Sequence, residues 1–302
     1  MSPISDAQLW MRVAAQIQAA CGWSLRPLER LGRPRNSRRT WLAEGEHGPV
    51  IVKARAGPFS TTDDGWVVSA LSMLAGRGYP VPEMLWRGTL DGGWSVVVQS
   101  RMPGEPMRTV DGAQLDALLG LVGLQTNPRV GPGGWDVSWW IGVVLFEGWE
   151  HWWTIAESAA PETSGWLREF LRPAWGYCLP VGDIVHGDLN LSNVLVHDGR
   201  ITGVVDWDDI GVGSCATDLA GLLFDWHRLQ FTGDHAPSAA DGGARLVRRI
   251  VEIAGADGLR CLITYGAIAR LALSAQRGEE RQLAMWRRVT NAILESVCHT
   301  RW

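Results

Sequence analysis

Residues 186–195 read HGDLNLSNVL, and residues 204–209 read VVDWDD. In the first run an acid and an amide, Asp188 and Asn193, are separated by five positions on a loop that enters a strand. This spacing can place a general base and a metal ligand on the same side of a bound phosphate. In the second run an apolar strand ends at Asp206, and a rigid strand end facing a cleft suits a carboxylate that holds Mg²⁺. The two runs predict phosphoryl-transfer chemistry.

The basic residues support this interpretation, because the 28 Lys and Arg residues comprise 27 arginines and a single lysine, Lys53. A guanidinium is a broad planar fork and an ammonium a compact charge, so a site that needs the ammonium does not always accept the guanidinium. Codon bias with chance survival of one lysine is the alternative explanation. On the strand-like run VIVKA at 50–54, Lys53 would supply the cation for bound phosphates.

These motifs, together with TDLA at 217–220, resemble those of the aminoglycoside phosphotransferase and choline kinase family, which is related to the protein kinases. The similarity is close from Ile184 to Leu223 and weaker at VIVKA and at VPEML, residues 81–85. It implies an α+β, bilobal, protein-kinase-like fold with a small β-rich N-lobe and a mostly helical C-lobe. It also implies transfer of the γ-phosphoryl group of ATP, or of GTP, to a hydroxyl of a small molecule.

The resemblance implies a chemical role for each matching side chain. Asp188 is then the catalytic aspartate, and Lys53 contacts the α- and β-phosphates. Asn193 and Asp206 are then the two protein ligands of Mg²⁺.

Two other residues are implied to be structural. His186 braces the catalytic loop, and Asp218 anchors the same loop from a helix start, where its side chain can accept backbone N–H bonds. Four further residues, near the expected phosphate loop and the hinge, are predicted to contact the nucleotide: Arg35, Ser37, Ser100 and Met102.

The phosphate loop departs from the family pattern. That loop is glycine-rich in the family, whereas residues 31–38 (LGRPRNSR) contain one glycine, which limits the approach of backbone N–H groups to phosphate. Arg35 or Arg38 can clamp the γ-phosphate instead, the alternative being that both are merely solvated.

The helix that follows also departs from the pattern. Residues 66–69 (WVVS) carry no acid where the family usually has the glutamate that pairs with the strand lysine. Asp63 or Asp64, one turn earlier, are the candidate partners of Lys53.

The acceptor side is predicted from one long helix, Val137 to Ser158. Helical periodicity puts Glu147, Glu150 and Glu157 on one face and several tryptophans on the opposite half. This acidic face is either solvated surface or one wall of a pocket for a small cationic acceptor. In the second case the acceptor-binding residues are Asp208, Asp209, Asp225, Glu147 and Glu150.

Aminoglycosides and cationic peptide antibiotics fit such a pocket, so inactivation of an antibiotic is the leading prediction. A metabolite kinase of the choline, homoserine or sugar type is the alternative within the same class of enzyme. A nucleotide-binding scaffold without turnover is the alternative from another class, because the phosphate loop and the helix acid depart from the pattern.

Composition excludes several classes of protein. With 302 residues, 46% of them hydrophobic and 20% charged, the chain is long enough for two domains and matches ordinary globular proteins. The longest apolar run, Trp139–Phe146, is too short to cross a bilayer. The formal charge of −4 argues against a nucleic-acid partner, because such proteins usually carry a basic excess. Five scattered cysteines without a CxxC pair indicate neither a disulfide framework nor a zinc ribbon.

The expected setting follows from the same observations. Residues 1–8 lack the basic and apolar regions of a secretory signal, so we expect a cytoplasmic protein without a membrane partner. We expect a monomer or a weak dimer.

The segments before MPGEP, residues 102–106, are mostly strand-like and those after it mostly helix-like, so we place the boundary between two lobes there. We predict a nucleotide-binding lobe over residues 1–102, and a helical lobe with the catalytic loop and the acceptor site over residues 103–302. The elements predicted in the first lobe are a helix at Ser5–Ala20, a hairpin of Arg39–Glu44 with Val50–Ala54, a helix at Trp66–Ala75 and a strand at Trp94–Gln99. The second lobe is predicted to be helical except for short strands at Ile184–Val185, Val194–His197 and Ile201–Val205, the last two joined by an Asp198-Gly199 turn.

Overall fold

The computed structural model describes residues 5–35, 38–46, 48–57, 63–127, 131–147, 150–232 and 241–298. The first part of the chain forms an antiparallel sheet with two helices, and the rest is mostly helical, which confirms the predicted α+β architecture. The elements of the first part are α1 (Asp6–Cys21), β1 (Arg26–Arg35), β2 (Arg38–Gly45), β3 (Gly48–Ala56), α2 (Asp64–Gly76), β4 (Met84–Leu90) and β5 (Trp94–Ser100).

The five strands pair antiparallel in the order β1-β2-β3-β5-β4. Strand β3 lies at the centre, and its side chains alternate between the two faces of the sheet. Val50, Val52 and Ala54 are buried on one face. Lys53 therefore points from the opposite face, toward the helical part of the chain.

Helix α1 covers the first face of the sheet, as the sequence predicts. Ser5 caps it with a capping box, in which Ser5 and Gln8 each bond the backbone of the other. Leu9, Val13 and Ile17 lie at the spacing of one helix face, and all three are fully buried against the sheet. A separate small core thus holds α1 to β2, β3 and β5.

Helix α2 belongs to the other, larger core. Asp63 caps its start by accepting a hydrogen bond from the Trp66 N–H at 3.0 Å. Val67, Leu71 and Leu74 of α2 are buried in the same cluster as the side chains of the helical lobe. Helix α2 therefore joins the two lobes, although it lies within the first lobe by sequence.

The helical lobe is built from seven helices and five short strands in the described residues. They are β6 (Glu105–Pro106), α3 (Gly112–Leu124), α4 (Val137–Phe146), α5 (Glu150–Ala159), α6 (Pro161–Leu171), β7 (Asp183–Val185), β8 (Val194–His197), β9 (Arg200–Val204), β10 (Gly211–Gly213), α7 (Ala216–Thr232), α8 (Gly242–Gln276) and α9 (Glu280–Cys298). Within α8, Gly255 has non-helical φ and ψ angles of 72° and 175°, which kink the helix.

The prediction of one long helix over residues 137–158 is wrong. The structure has two helices here, because α4 ends at its C-cap, Glu147, whose φ of −106° and ψ of 17° are not helical. The next residue in the sequence is Gly148, and glycine is a poor helix former. Glu147 and the acids of α5 therefore do not share one helix face.

Short strands place the loops of the site. Strand β7 pairs with β10, and β8 forms the predicted hairpin with β9 through Asp198 and Gly199, which both have positive φ values, 49° and 74°. Strands β7 and β10 form one small sheet and β6, β8 and β9 form another, and the β7–β8 loop lies beside the segment that follows β9. In the described part of the chain, no helix combines the length and the apolar character needed to span a bilayer.

Because α1 packs on the small core with one face only, buried and exposed positions of this helix should differ in how much they contribute to stability. Leu9→Ala removes a fully buried side chain and should lower the free energy of unfolding by about 2–5 kcal/mol. Met11→Ala is the matched control, because Met11 is 62% exposed on the same helix, and its effect should stay within about 0.5 kcal/mol. Urea unfolding followed by tryptophan fluorescence measures both. Equal losses for the two variants would show that α1 does not pack as described.

Candidate functional site

The predicted residues converge on a cleft between the sheet and the helical lobe. A cavity of about 940 Å³ is lined by side chains from both lobes. Leu42 and Ile51 of the sheet line one wall, and Leu195 and Val205 of the helical lobe line another. Apolar walls of this kind suit a planar ring system. Polar groups from five predicted positions line the same cavity: Lys53, Asp188, Asn193, Asp206 and Asp208.

The loop between β7 and β8 carries Asp188. Its backbone turns at Gly187, whose φ of 84° lies in the left-handed region that favours glycine. A Cβ at this position would lie 2.2 Å from the carbonyl oxygen of Asp209, so a side chain does not fit. This close approach sets the Asp188 loop directly against the turn at residues 207–209.

A buried carboxylate fixes the start of this loop. Asp218, 1% exposed, accepts hydrogen bonds from the backbone N–H groups of His186 at 2.8 Å and Gly187 at 3.1 Å. The Gln125 side chain donates a third bond to it, at 2.7 Å. His186 is fully buried, and its Nε2 lies 3.0 Å from the carbonyl oxygen of Val205. These contacts tie the loop to α7 and to the chain that leaves β9.

Asp225 holds the far end of the loop. It is 5% exposed, and its two oxygens accept hydrogen bonds from the Leu191 N–H and from the Arg228 guanidinium, each at 2.8 Å. Both oxygens are engaged by the protein. The structure thus differs from the prediction that Asp225 binds an acceptor, because this carboxylate lies beneath the loop and stabilises it.

Lys53 reaches across the cleft to the segment after β9. Its Nζ lies 2.6 Å from Oδ1 of Asp206 and 3.3 Å from Oδ1 of Asp208. Arg38, on the neighbouring strand β2, lies 3.3 Å from the other oxygen of Asp208 and 4.0 Å from Asp206. Two cations of the sheet therefore meet two carboxylates of the helical lobe.

The prediction that Asp63 or Asp64 pairs with Lys53 is wrong. Asp63 is the N-cap of α2, and the Asp64 carboxylate contacts the Arg87 guanidinium. Both acids lie at the start of α2, where Asp63 bonds the helix backbone and Asp64 contacts β4. The two acids that do contact Lys53 lie more than 150 positions after it in the chain.

The charges of this cluster shift one another's pKa values. Burial by itself lowers the pKa of Lys53, but the carboxylates of Asp208 and Asp206 outweigh it and raise the pKa above the ordinary value. Burial by itself raises the pKa of Asp206, and here the Lys53 ammonium, followed by the Arg38 guanidinium, outweighs it and lowers the pKa. Lys53 is therefore charged, and Asp206 is a carboxylate.

Asn193 and Asp206 offer oxygen ligands of the type that Mg²⁺ prefers. The Asn193 amide nitrogen donates to the carbonyl oxygen of Asp188 at 2.9 Å, so the amide oxygen is the atom left for a cation. Asp206 adopts a left-handed φ of 68°, an uncommon conformation for a non-glycine residue, which turns its carboxylate toward the cleft. One carboxylate and one amide oxygen fit a magnesium ion that completes its shell with phosphate oxygens and water.

Asp188 is accessible from the cleft but has protein on most sides. This partial burial raises the pKa of its carboxyl, and the negative charge of Asp209 adds to the effect. Asp209 is itself exposed on its solvent side, and the protein atoms on its other side, together with the charges of Asp208 and Asp206, raise its pKa.

The predicted nucleotide-binding residues have different outcomes. Ser100 and Met102 line the cavity where the sheet joins the helical lobe. Arg35 is the last residue of β1, but its side chain lies outside the described part of the structure, as does Ser37. Arg38, the other arginine predicted to clamp the γ-phosphate, contacts the acids of the site.

The predicted acidic wall does not form as expected. Glu147 is exposed at the end of α4, and the side chain of Glu150, the first residue of α5, is outside the described structure. Glu157 forms an ion pair with Arg168 of α6. Of the predicted acceptor-binding acids, Asp209 is the one that the structure places beside Asp188.

Sequence reasoning missed a group of residues on α8 and its neighbours. Arg270 of α8 lies near Asp188, and its guanidinium is 4.4 Å from the ring centre of Phe224 and 5.1 Å from that of Trp286. It donates to the Gly266 carbonyl at 3.1 Å, and no acidic side chain of the described residues lies within ion-pair distance of it. Tyr265, one turn earlier, is also near Asp188, and burial raises its pKa to about 12. No motif marks these positions, because they become neighbours of the loop only through helix packing.

Comparison with known proteins gives a consistent result. Residues 30–253 match the phosphotransferase enzyme family, APH. The chain is 36% identical over 107 residues to a homoserine kinase of Granulibacter bethesdensis, and this alignment covers 33% of this chain and 32% of the relative. It is 38% identical over 111 residues to the viomycin phosphotransferase of Streptomyces vinaceus, which covers 33% of each. Each alignment thus spans about a third of the curated relative.

The fold is also found among solved structures. A thermostable mutant of the aminoglycoside phosphotransferase APH(4)-Ia, in ternary complex with ADP and hygromycin B, superimposes with a TM-score of 0.68. The superposition covers 95% of this chain and 99% of that one at 20% identity, so it shows a shared fold. The family match extends over about three quarters of the sequence and includes the sheet, the Asp188 loop and the segment after β9. This chain therefore belongs to the phosphotransferase enzyme family.

Proposed function

We propose that this protein transfers the γ-phosphoryl group of ATP, or of GTP, to a hydroxyl group of a small cationic molecule, and that an antibiotic is its substrate. The observation that carries this proposal is the convergence of Lys53, Asp188, Asn193 and Asp206 on one cleft with apolar walls. Three of these side chains come from the helical lobe and one from the sheet, so the cleft can hold a nucleotide between them.

The reaction needs a group that takes the proton of the acceptor hydroxyl. Asp188 lies at the floor of the cleft, and its carboxylate is suited to orient the hydroxyl and accept its proton. The hydroxyl oxygen then forms a bond to the γ-phosphorus, while the bond from that phosphorus to the β–γ bridging oxygen breaks and ADP leaves. Asp188 returns the proton to solvent after the product departs.

The remaining residues position the phosphates. Lys53 presents an ammonium toward the cleft and suits the α- and β-phosphates. Asn193 and Asp206 would hold Mg²⁺, which supplies charge stabilisation at the phosphate oxygens during transfer. Ser100 and Met102, at the junction of the lobes, are suited to contact the base.

The acceptor is inferred from the charges beside Asp188. Asp209 is exposed next to Asp188 and suits an ammonium group of the acceptor. The names of two similar proteins agree with a cationic antibiotic, because one is a viomycin phosphotransferase and the other was crystallised with hygromycin B.

A second candidate is a metabolite kinase whose acceptor carries a carboxylate. Arg270 favours it, because this guanidinium interacts electrostatically with Asp225 and Asp188 but forms no ion pair with an acid among the described side chains. A hydroxy amino acid would present its ammonium to Asp209 and its carboxylate to Arg270. The homoserine kinase among the similar proteins agrees with this candidate.

A panel of hydroxyl compounds distinguishes the candidates. Aminoglycosides, viomycin-type peptides, homoserine, choline and sugars are incubated with ATP or GTP and Mg²⁺, and the mass gain of one phosphoryl group is measured. We expect a cationic acceptor, with a KM that rises clearly with salt because the attraction is screened over about 8 Å. Failure of every compound to gain a phosphoryl group would favour a nucleotide-binding scaffold.

Two substitutions separate the acceptor types. Asp209→Asn should raise the KM of a cationic acceptor by about tenfold, equivalent to about 1.4 kcal/mol, and leave the KM for ATP unchanged. Arg270→Gln should raise the KM only of acceptors that carry a carboxylate. An unchanged acceptor KM in both variants would place the acceptor away from these residues.

Asp188 and Asp206 should differ in the kinetic constant that they affect. Asp188→Ala should lower kcat by about 10²-fold or more with little change in nucleotide affinity, because it removes the proton acceptor. Asp206→Ala should weaken binding of the nucleotide in the presence of Mg²⁺, because it removes a metal ligand. Steady-state kinetics and nucleotide titration measure both effects. Full turnover by the Asp188 variant would overturn its assignment.

The pH dependence of kcat tests the environment of Asp188. The carboxyl must be deprotonated to accept a proton, so kcat falls as the pH drops through its pKa. Because that pKa is raised, the fall should begin at a higher pH than for an ordinary aspartate. Asp209→Asn removes a neighbouring negative charge and should move the fall to lower pH. Asp91→Asn, in the exposed β4–β5 turn, is the control and should leave the profile in place.

A further inference from the structure

We propose that Asp208 is the residue that positions Lys53 for catalysis, in place of an acid from helix α2. This inference rests on the proposed function, because it concerns how the lysine is held at the nucleotide phosphates. Lys53 has two carboxylate partners, Asp206 at 2.6 Å and Asp208 at 3.3 Å.

Asp206 cannot serve Lys53 alone if it also holds the metal. Its oxygens would be drawn to Mg²⁺ whenever the nucleotide is bound, which weakens their hold on the ammonium. Asp208 lies two positions further along the same turn and keeps one oxygen on Lys53. In the loaded site it is therefore the carboxylate that remains for the lysine.

Helix α2 offers no substitute. The side chains of α2 that share a small cavity with Asp208 are Val67 and Leu71, and both are buried and apolar. The only acid within α2 is Asp64, in its first turn, and it contacts Arg87. An acid on the face of α2 that carries Val67 and Leu71 would be needed to reach Lys53, and this helix has none there.

Asp208 is held firmly enough for a positioning role. Its side chain is 10% exposed, and its second oxygen lies 3.3 Å from Arg38, so each oxygen faces one cation. The preceding residue, Trp207, is buried and donates from its indole to the Val204 carbonyl at 2.8 Å. Its ring centre lies 4.4 Å from that of His186, with the two planes tilted by 45°. The turn that carries Asp208 is thus anchored to the catalytic loop.

The electrostatic effect on Lys53 has the expected direction. Burial alone would favour the neutral amine, and the carboxylates of Asp208 at 3.3 Å and Asp206 at 2.6 Å oppose this effect on the pKa of Lys53. Loss of the Asp208 charge should therefore lower the pKa of Lys53.

The single lysine of this chain makes the inference directly testable. An amine-selective acylating reagent can modify only Lys53 and the N-terminal amine, and peptide mass spectrometry quantifies each. The rate of Lys53 acylation across a pH series reports its pKa, with the N-terminal amine as internal reference. The variants to compare are wild type, Asp208→Asn, Asp208→Glu and Asp64→Asn.

We expect Asp208→Asn to accelerate acylation of Lys53 at pH values below its pKa, by about tenfold for each unit by which the pKa falls. Asp208→Glu keeps the charge and should restore slow acylation. Asp64→Asn, which changes the only acid of α2, should behave as wild type. Wild-type acylation in Asp208→Asn would overturn the inference. Thermal unfolding of each variant verifies that an accelerated reaction does not come from loss of the fold.

Kinetics then separate a positioning role from a metal-binding one. Asp208→Asn should lower kcat by about tenfold or more, leave the KM for Mg²⁺ unchanged and reduce protection of Lys53 by ATP with Mg²⁺. A raised KM for Mg²⁺ with unchanged acylation would make Asp208 a metal ligand and overturn the inference. Acylation needs no acceptor. A shifted acylation rate in a protein that phosphorylates no compound would therefore contradict the proposed function alone, and the Lys53–Asp208 contact would stand.

Discussion

The hydrogen bonds accepted by the buried Asp218 carboxylate are the interaction on which the site depends. A carboxylate removed from water is costly unless its oxygens are satisfied, and here the backbone N–H groups of His186 and Gly187 and the Gln125 amide satisfy them. The requirement is mutual, because the N–H groups of a tight turn also need partners. The start of the Asp188 loop is therefore fixed to α7, and Asp225 fixes the other end in the same way.

The second constraint is the contact between this loop and the turn that follows β9. Gly187 leaves no room for a side chain against the Asp209 carbonyl, so the two segments stay in register. That register carries Asp206 and Asp208 to the position where Lys53 arrives from the sheet. The sheet and the helical lobe thus meet through the ion pairs of Lys53 within the cleft. They also meet through the apolar side chains of α2, which pack into the core of the helical lobe.

Charge is distributed unevenly around the cleft. At one end of the cleft Lys53 and Arg38 face Asp206 and Asp208, so the cations and anions balance. Beside it, Asp209 lies against Gly187 at the start of the Asp188 loop, and its negative charge contributes to the raised pKa of Asp188.

The sequence by itself determined the α+β architecture, and it predicted the group of residues that meet in the cleft. Strand alternation, helix periodicity and the Asp198-Gly199 turn are local properties, and local properties can be predicted from the order of residues. The motif residues at 186–193 and 204–209 are likewise close in sequence, so their spacing implied their proximity. Only the tertiary structure decided the partners of Lys53 and the place of Arg270. Both depend on groups far apart in the chain, and neither is encoded in a local pattern.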